Sequence, residues 1–212
     1  MSTLPFKGEN IISKYREPIS WLLKGDPAVR YQTLRDLIGS GETALRKERG
    51  AIALSGWGKR LLSLQDTEGT WGGGWYSPKW TSTTYTLLLL KDLGIEIHPK
   101  IEKACRLLLD AGFCGADGGI NLSKGYFQSE TCITGMLLGV FSFFGLDDKR
   151  LDRLEAHLLD RQMKDGGWNC QQPRGAVHGS FHTTINVLEG LGEYERRFGR
   201  SVRAVSSAQN RG

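Results

Sequence analysis

The chain has 212 residues, a net charge of +5, 39% hydrophobic and 24% charged residues, which suits one ordinary globular domain and excludes disorder throughout. Its basic side chains are scattered without interleaved aromatics, so no nucleic-acid partner is expected, although an anion such as a diphosphate or an acidic membrane face would be tolerated at its periphery. The four cysteines, Cys105, Cys114, Cys132 and Cys170, show no CxxC spacing, which excludes a zinc knuckle or a disulfide framework and fits reduced thiols.

The N-terminal stretch to Pro18 lacks the apolar core of a signal peptide, and no segment reaches the ~20 apolar residues of a membrane helix, so a cytoplasmic location is expected. Residues 17–48 are expected to hold two or three short helices. In GDPAVRYQTLRDLIG, Asp26 is the predicted N-cap, Pro27 the first helical residue and Gly39 the stop. Residues 1–54 thus read as a helical cap.

From residue 55 the chain repeats itself. QDTEGTW at Gln65–Trp71 returns as QMKDGGW at Gln162–Trp168, and a degenerate copy, CGADGGI, lies between them at Cys114–Ile120. The glycines of the three acid-Gly pairs, Gly69, Gly118 and Gly166, recur at intervals of 49 and 48 residues, a period that signals stacked helical hairpins. More polar helices are predicted at Gly58–Leu64, Pro99–Asp110 and Asp148–Gln162. More apolar ones are predicted at Thr83–Leu93, Thr131–Phe144 and Thr183–Tyr194, an outer and an inner layer respectively. The spacing puts Ser82, Glu130 and His182 at one equivalent position. His98 and His157 read as solvated outer-helix residues, and Asp147 with Asp148 as the N-cap region of the next outer helix.

The two QxxxGxW segments resemble the QW motif of the squalene and oxidosqualene cyclases, whose α/α toroid is shared with the protein prenyltransferase β-subunits. The resemblance covers about residues 55–200 and implies an all-α chain of tandem helical hairpins forming a partial α/α toroid. In the cyclases the motif's Gln caps a helix end and its Trp stacks against it. The DxDD acid motif of hopene-type cyclases is absent, and GLDDKRLD from Gly145 does not supply a DDxxD metal motif either.

The prenyltransferase side of the resemblance implies zinc. That family places an acidic residue, a Cys two positions later and a His at the starts of inner helices, and Glu130, Cys132 and His182 match these, with Glu in place of Asp. Carboxylate, thiolate and imidazole leave one tetrahedral position open, as in a catalytic site, and Cys170 would close the shell. Each residue also has a plain structural explanation: Cys as a small core side chain, Glu130 at a helix N-terminus, His182 as a cap.

The aromatic residues Trp80, Tyr85, Tyr126 and Phe181 are candidate walls of an isoprenoid cavity, and Lys124, Arg174 and His178 are candidate diphosphate contacts by position. The resemblance thus implies a protein acting on or binding an isoprenoid or another apolar small molecule. A non-catalytic α/α-repeat module that binds a lipid or a protein, and an inactive truncated copy, both stay open. Residues 201–212 read as a polar tail or the start of another outer helix. The last inner helix is then expected to expose Val187, Leu188 and Leu191 as a self-association edge.

Overall fold

The computed structural model describes residues 13–123 and 128–199 of the chain. They are mostly helical, with two isolated bridge pairings, Trp71 with Gly74 and Phe113 with Ile120, and no strand among the described residues. None of the described helices is long and apolar enough to cross a membrane. The expected tail at 201–212 lies outside the described residues. Two compact units form: Met1–Gln65 with Leu89–His98, and Asp66–Leu88 with Pro99–Gly212.

The first unit contains α1 (Arg16–Leu22), α2 (Pro27–Gln32), a π-helical extension Thr33–Ile38, α3 (Glu42–Ala51) and α4 (Gly56–Ser63). The expected punctuation is present: the Asp26 carboxylate accepts from the Ala28 amide at 2.9 Å, Pro27 opens α2, and Gly39 stops the segment at φ 69°. The same carboxylate accepts from the Trp57 amide at 2.8 Å, so one side chain caps α2 and holds the start of α4. Side chains from these helices also bind the chain returning after residue 88. Gln32 donates to the Asp92 carbonyl and Arg49 to that of Gly94, both at 2.9 Å.

The second unit holds the repeats. Its helices are the start of α5 (Thr83–Leu93), then α6 (Pro99–Gly112), α7 (Thr131–Phe143), α8 (Arg150–Asp160) and α9 (Phe181–Phe198). These bounds match the predicted spans closely, because each span is set by an apolar period and closed by a glycine or polar turn. The Asp148 carboxylate accepts from the Arg150 amide at 2.9 Å just before α8, but the N-cap residue of that helix is Lys149, not Asp147 or Asp148 as expected.

The repeat is a local hydrogen-bonding device. Gly69, Gly118 and Gly166 all take positive φ (97°, 79° and 83°), a conformation other residues adopt only with strain. An aspartate in each turn binds the backbone beyond it: Asp66 accepts from the Gly69 and Thr70 amides, Asp117 from Gly119, and Asp165 from Gly167. In the first copy this acid is Asp66; Glu68, the acid of the sequence pattern, is exposed. Finally, the last residue of each turn donates its amide to a threonine hydroxyl in the next helix. The pairs are Trp71 with Thr83 at 3.1 Å, Ile120 with Thr134 at 2.9 Å, and Trp168 with Thr184 at 3.0 Å.

These bonds correct the register read from spacing. The Glu130 amide donates to the Ile120 carbonyl as the Ser180 amide does to that of Trp168. Glu130 therefore corresponds to Ser180, and Cys132 to His182. Ser82 precedes the threonine Thr83 and so corresponds to Ile133 and Thr183, not to Glu130 or His182. The discrepancy arises because the separation between the turn's last residue and its threonine grows from 12 to 14 to 16 residues over the three copies, which spacing at the helix starts cannot reveal.

Glycines set the crossing of α7 and α9. A Cβ on Gly135 would lie 2.8 Å from the Val187 Cα, and one on Gly139 would lie 3.3 Å from the Gly190 Cα. Later residues of one helix face later residues of the other, so the two run parallel, with backbones close enough that only glycine fits at the contact. Nearly every residue of α7 is buried, as its unbroken apolar character requires.

Candidate functional site

The loop between Trp71 and Thr83, GGGWYSPKWTS, carries the exposed indoles of Trp75 and Trp80. Trp75 and Tyr76, with Gly73, Gly74, Leu122 and Ser123, line a cleft of about 520 Å³. The Tyr85 hydroxyl donates to that of Tyr76 at 3.1 Å, and the Tyr85 ring lies 5.4 Å from the Tyr76 ring and 5.3 Å from that of Trp80, all tilted. Trp80 has φ 75° and is 73% exposed. A bulky residue in the left-handed region costs about 1–3 kcal/mol, and such strain clusters at functional sites. The Lys79 ammonium lies over the Trp80 ring at 5.0 Å, a cation–π contact that favours this displayed indole.

Of the expected wall residues, Trp80 and Tyr85 thus join one aromatic cluster. Tyr76, which the sequence analysis did not single out, links that cluster to the cleft. The signal was the WYSPKW run itself. Phe181 opens α9 at 83% exposure, edge-on to His182, and does not line the cleft. Tyr126 and Lys124 lie outside the described residues.

Behind Tyr76 is a polar cluster. Burial, the hydrogen bond with Tyr85 and then the nearby Cys132 and Glu130 all push the Tyr76 phenol above its ordinary pKa. Burial likewise raises the Glu130 carboxyl, against the opposing positive charge of Arg174. The Glu130 Oε2 atom is buried with no hydrogen-bond partner, an arrangement that favours the protonated acid. Glu130, Cys170, Gln171 and Arg174 line a smaller cavity of about 70 Å³.

Cys132, in the first turn of α7, and Cys170, two residues past Trp168, meet here. The Cys170 sulfur accepts from the Cys132 amide at 3.1 Å and the Thr183 hydroxyl at 3.5 Å. Its hydrogen bond with the Cys132 thiol, then those from Thr183 and the Cys132 amide, outweigh desolvation and lower its pKa to about 6. The same pairing, with burial, holds Cys132 well above the ordinary thiol range.

The structure brings Glu130, Cys132, Cys170 and Arg174 to one neighbourhood. The His182 side chain is exposed, and among the described residues no three His, Cys, Asp or Glu side chains come together as a set able to hold a metal ion. The donors implied for zinc therefore do not fit that ion as arranged. His178 is exposed and reaches the Asp165 carboxylate at 3.9 Å. His157, expected at the surface, is buried, its Nδ1 2.8 Å from the Asp117 carbonyl and its Nε2 without a partner. It packs under the middle repeat turn, beside Gly119. Comparisons with known protein families, with curated proteins and with solved structures give no match for this chain.

Proposed function

We propose that the chain is a terpenoid-cyclase- and prenyltransferase-like α/α-toroid protein whose second unit binds an isoprenoid in the cleft bordered by Trp75 and Tyr76. The observation that carries this reading is the aromatic wall: Trp75 and Tyr76 on the cleft, with the Tyr85 ring tilted against Tyr76 and the Trp80 ring tilted against Tyr85. A volume of about 520 Å³ lies within the roughly 300–1,000 Å³ of small-molecule sites, and π faces suit both a polyene chain and developing positive charge. The parallel crossing of α7 and α9 supports a toroid-like arrangement, since successive inner helices of hairpins stacked in one direction run parallel.

The test is a titration of the full chain with farnesyl diphosphate, farnesol and inorganic diphosphate, read by tryptophan fluorescence and calorimetry. Binding of both prenyl compounds, weakened about tenfold by Trp75→Ala as a lost aromatic contact of roughly 1.5 kcal/mol would give, is expected. Failure of both prenyl compounds to bind sinks the reading.

A second reading, a non-catalytic repeat module that self-associates, is favoured by an apolar strip on α9. Phe181, Ile185 and Leu188 are 83%, 43% and 46% exposed, and in the repeat register they correspond to Thr131, Gly135 and Leu138, on the helix that α9 covers. The expected edge is therefore displaced around the helix: Val187 and Leu191, at 0% and 3%, are buried against α7. Light scattering that finds only monomer at high concentration removes this reading.

A further inference from the structure

We propose that Cys132 and Cys170 form a redox-reversible dithiol, a modification site that low-molecular-weight disulfides such as glutathione disulfide convert to an intramolecular disulfide. The geometry is already close to the product. The Cys170 sulfur accepts a hydrogen bond from the Cys132 amide at 3.1 Å, which brings it against the residue it would bond. A sulfur this close to the Cys132 backbone has only a short approach left to an S–S bond of about 2.0 Å. Both residues are only partly buried, and Cys170 lines a cavity whose other walls include the exposed Gln171, Pro173 and Arg174. The Arg174 guanidinium beside this opening offers a charge complementary to the carboxylates of glutathione.

The repeat fold does not require these cysteines. Asn121 and Asn169 each follow the turn's last residue and accept from the amide two positions on, at 2.9 Å in both copies. In this matching frame Leu122 stands where Cys170 does, and His182 where Cys132 does. Two positions that the fold leaves free are thus both occupied by cysteines, and the sulfur of one sits on the backbone amide of the other. Cys105 is fully buried on α6 and has no such partner role in the turn.

The reaction balances as two exchanges. The Cys170 sulfur attacks one sulfur of glutathione disulfide, and the S–S electron pair leaves with the first glutathione thiolate. The Cys132 sulfur then attacks the Cys170 sulfur of the mixed disulfide, releasing the second glutathione. The two cysteines lose two protons and two electrons, and one glutathione disulfide becomes two glutathiones.

The test incubates the full chain with defined ratios of glutathione disulfide to glutathione, followed by acid quenching, alkylation and peptide mapping. The expected result is loss of two of the four alkylatable thiols, a single cross-linked peptide pair joining Cys132 to Cys170, and full recovery with dithiothreitol. In Cys132→Ser the first step should stall, leaving one glutathione on Cys170. Phenylarsine oxide, which bridges adjacent thiols, should protect both from alkylation in the reduced wild-type protein, a readout that does not depend on the variant folding. Separate glutathione adducts on the two residues without a cross-link, preferential reaction at Cys114, or alkylation of both thiols despite phenylarsine oxide would each overturn the proposal.

Discussion

The middle and the third repeat turns do the same job with different side chains. Around Trp168 the indole is 1% exposed and donates to the Leu158 carbonyl at 2.6 Å, while Gln162 donates to the Gly166 carbonyl at 3.0 Å. Around Ile120 both the Gln and the Trp are missing, yet the positive-φ glycine, the aspartate and the threonine hydroxyl hold the same path. The space of the indole is taken up by closer packing: a Cβ on Gly112 would lie 2.7 Å from Leu122 and 3.0 Å from Ile120. The Gln and Trp are thus one way of filling a turn that the backbone-binding residues define.

The comparison breaks most visibly at the indole. Trp168→Ala should cost about 3–5 kcal/mol, seen as a large drop in melting temperature, because it empties a packed site and removes the bond to Leu158. An unchanged melting temperature would refute the packing role. The converse substitution sharpens the point. Ile120→Trp, which restores the motif residue, should destabilise by about 1–3 kcal/mol through overpacking against Gly112; stabilisation would show that the middle turn retains room for the indole.

The shared element should respond equally in both turns. Thr134→Val and Thr184→Val each leave one amide without its acceptor, at Ile120 and Trp168 respectively, and should cost a similar amount, about 1–2 kcal/mol in chemical denaturation. Very different losses would mean that the two turns are held by different forces.

The smallest expected effect is a pH dependence. Desolvation alone would raise the Asp117 carboxyl, but the Ser129 hydroxyl and the Gly119 and Ser129 amides hold it at about 2, from an ordinary 3.8. A carboxylate depressed on folding stabilises the fold fully above its unfolded value and loses that contribution as pH falls from about 4 through about 2. Asp117→Asn should therefore flatten the acid limb of the stability curve over that window while changing little of its shape near neutrality. Asp165 is lowered by the amides of Gly179 and Gly167 but is exposed, so Asp165→Asn should flatten the curve less. Equal slopes in wild type and Asp117→Asn would remove this assignment.

Much of the fold was legible because it is written in short-range patterns. Asp26, Pro27 and Gly39 act within a few residues of where they stand, and the helix spans follow from apolar periods with turn residues between them. Candidate site residues were less legible. Cys132, Cys170 and Glu130 stand out by type and approximate position and do meet, whereas the WYSPKW run marks Tyr76 only as one of several clustered aromatics and not as the one that links the cluster to the cleft. His157 resembled a surface residue because its helix has a polar face; only the turn packed above it accounts for its burial.

The sequence by itself determined an all-helical chain, its repeat and the turn chemistry of each copy, since these depend on backbone conformation and hydrogen bonds between near neighbours. The tertiary structure alone decided the register of one repeat against the next, which made His182 the counterpart of Cys132 rather than of Glu130 and left it exposed. It also decided the meeting of the two thiols, across a loop whose length changes between copies. Loop length shifts equivalence without leaving a periodic trace, and close contacts between distant residues depend on how helices cross, here through Gly135, Gly139 and Gly190.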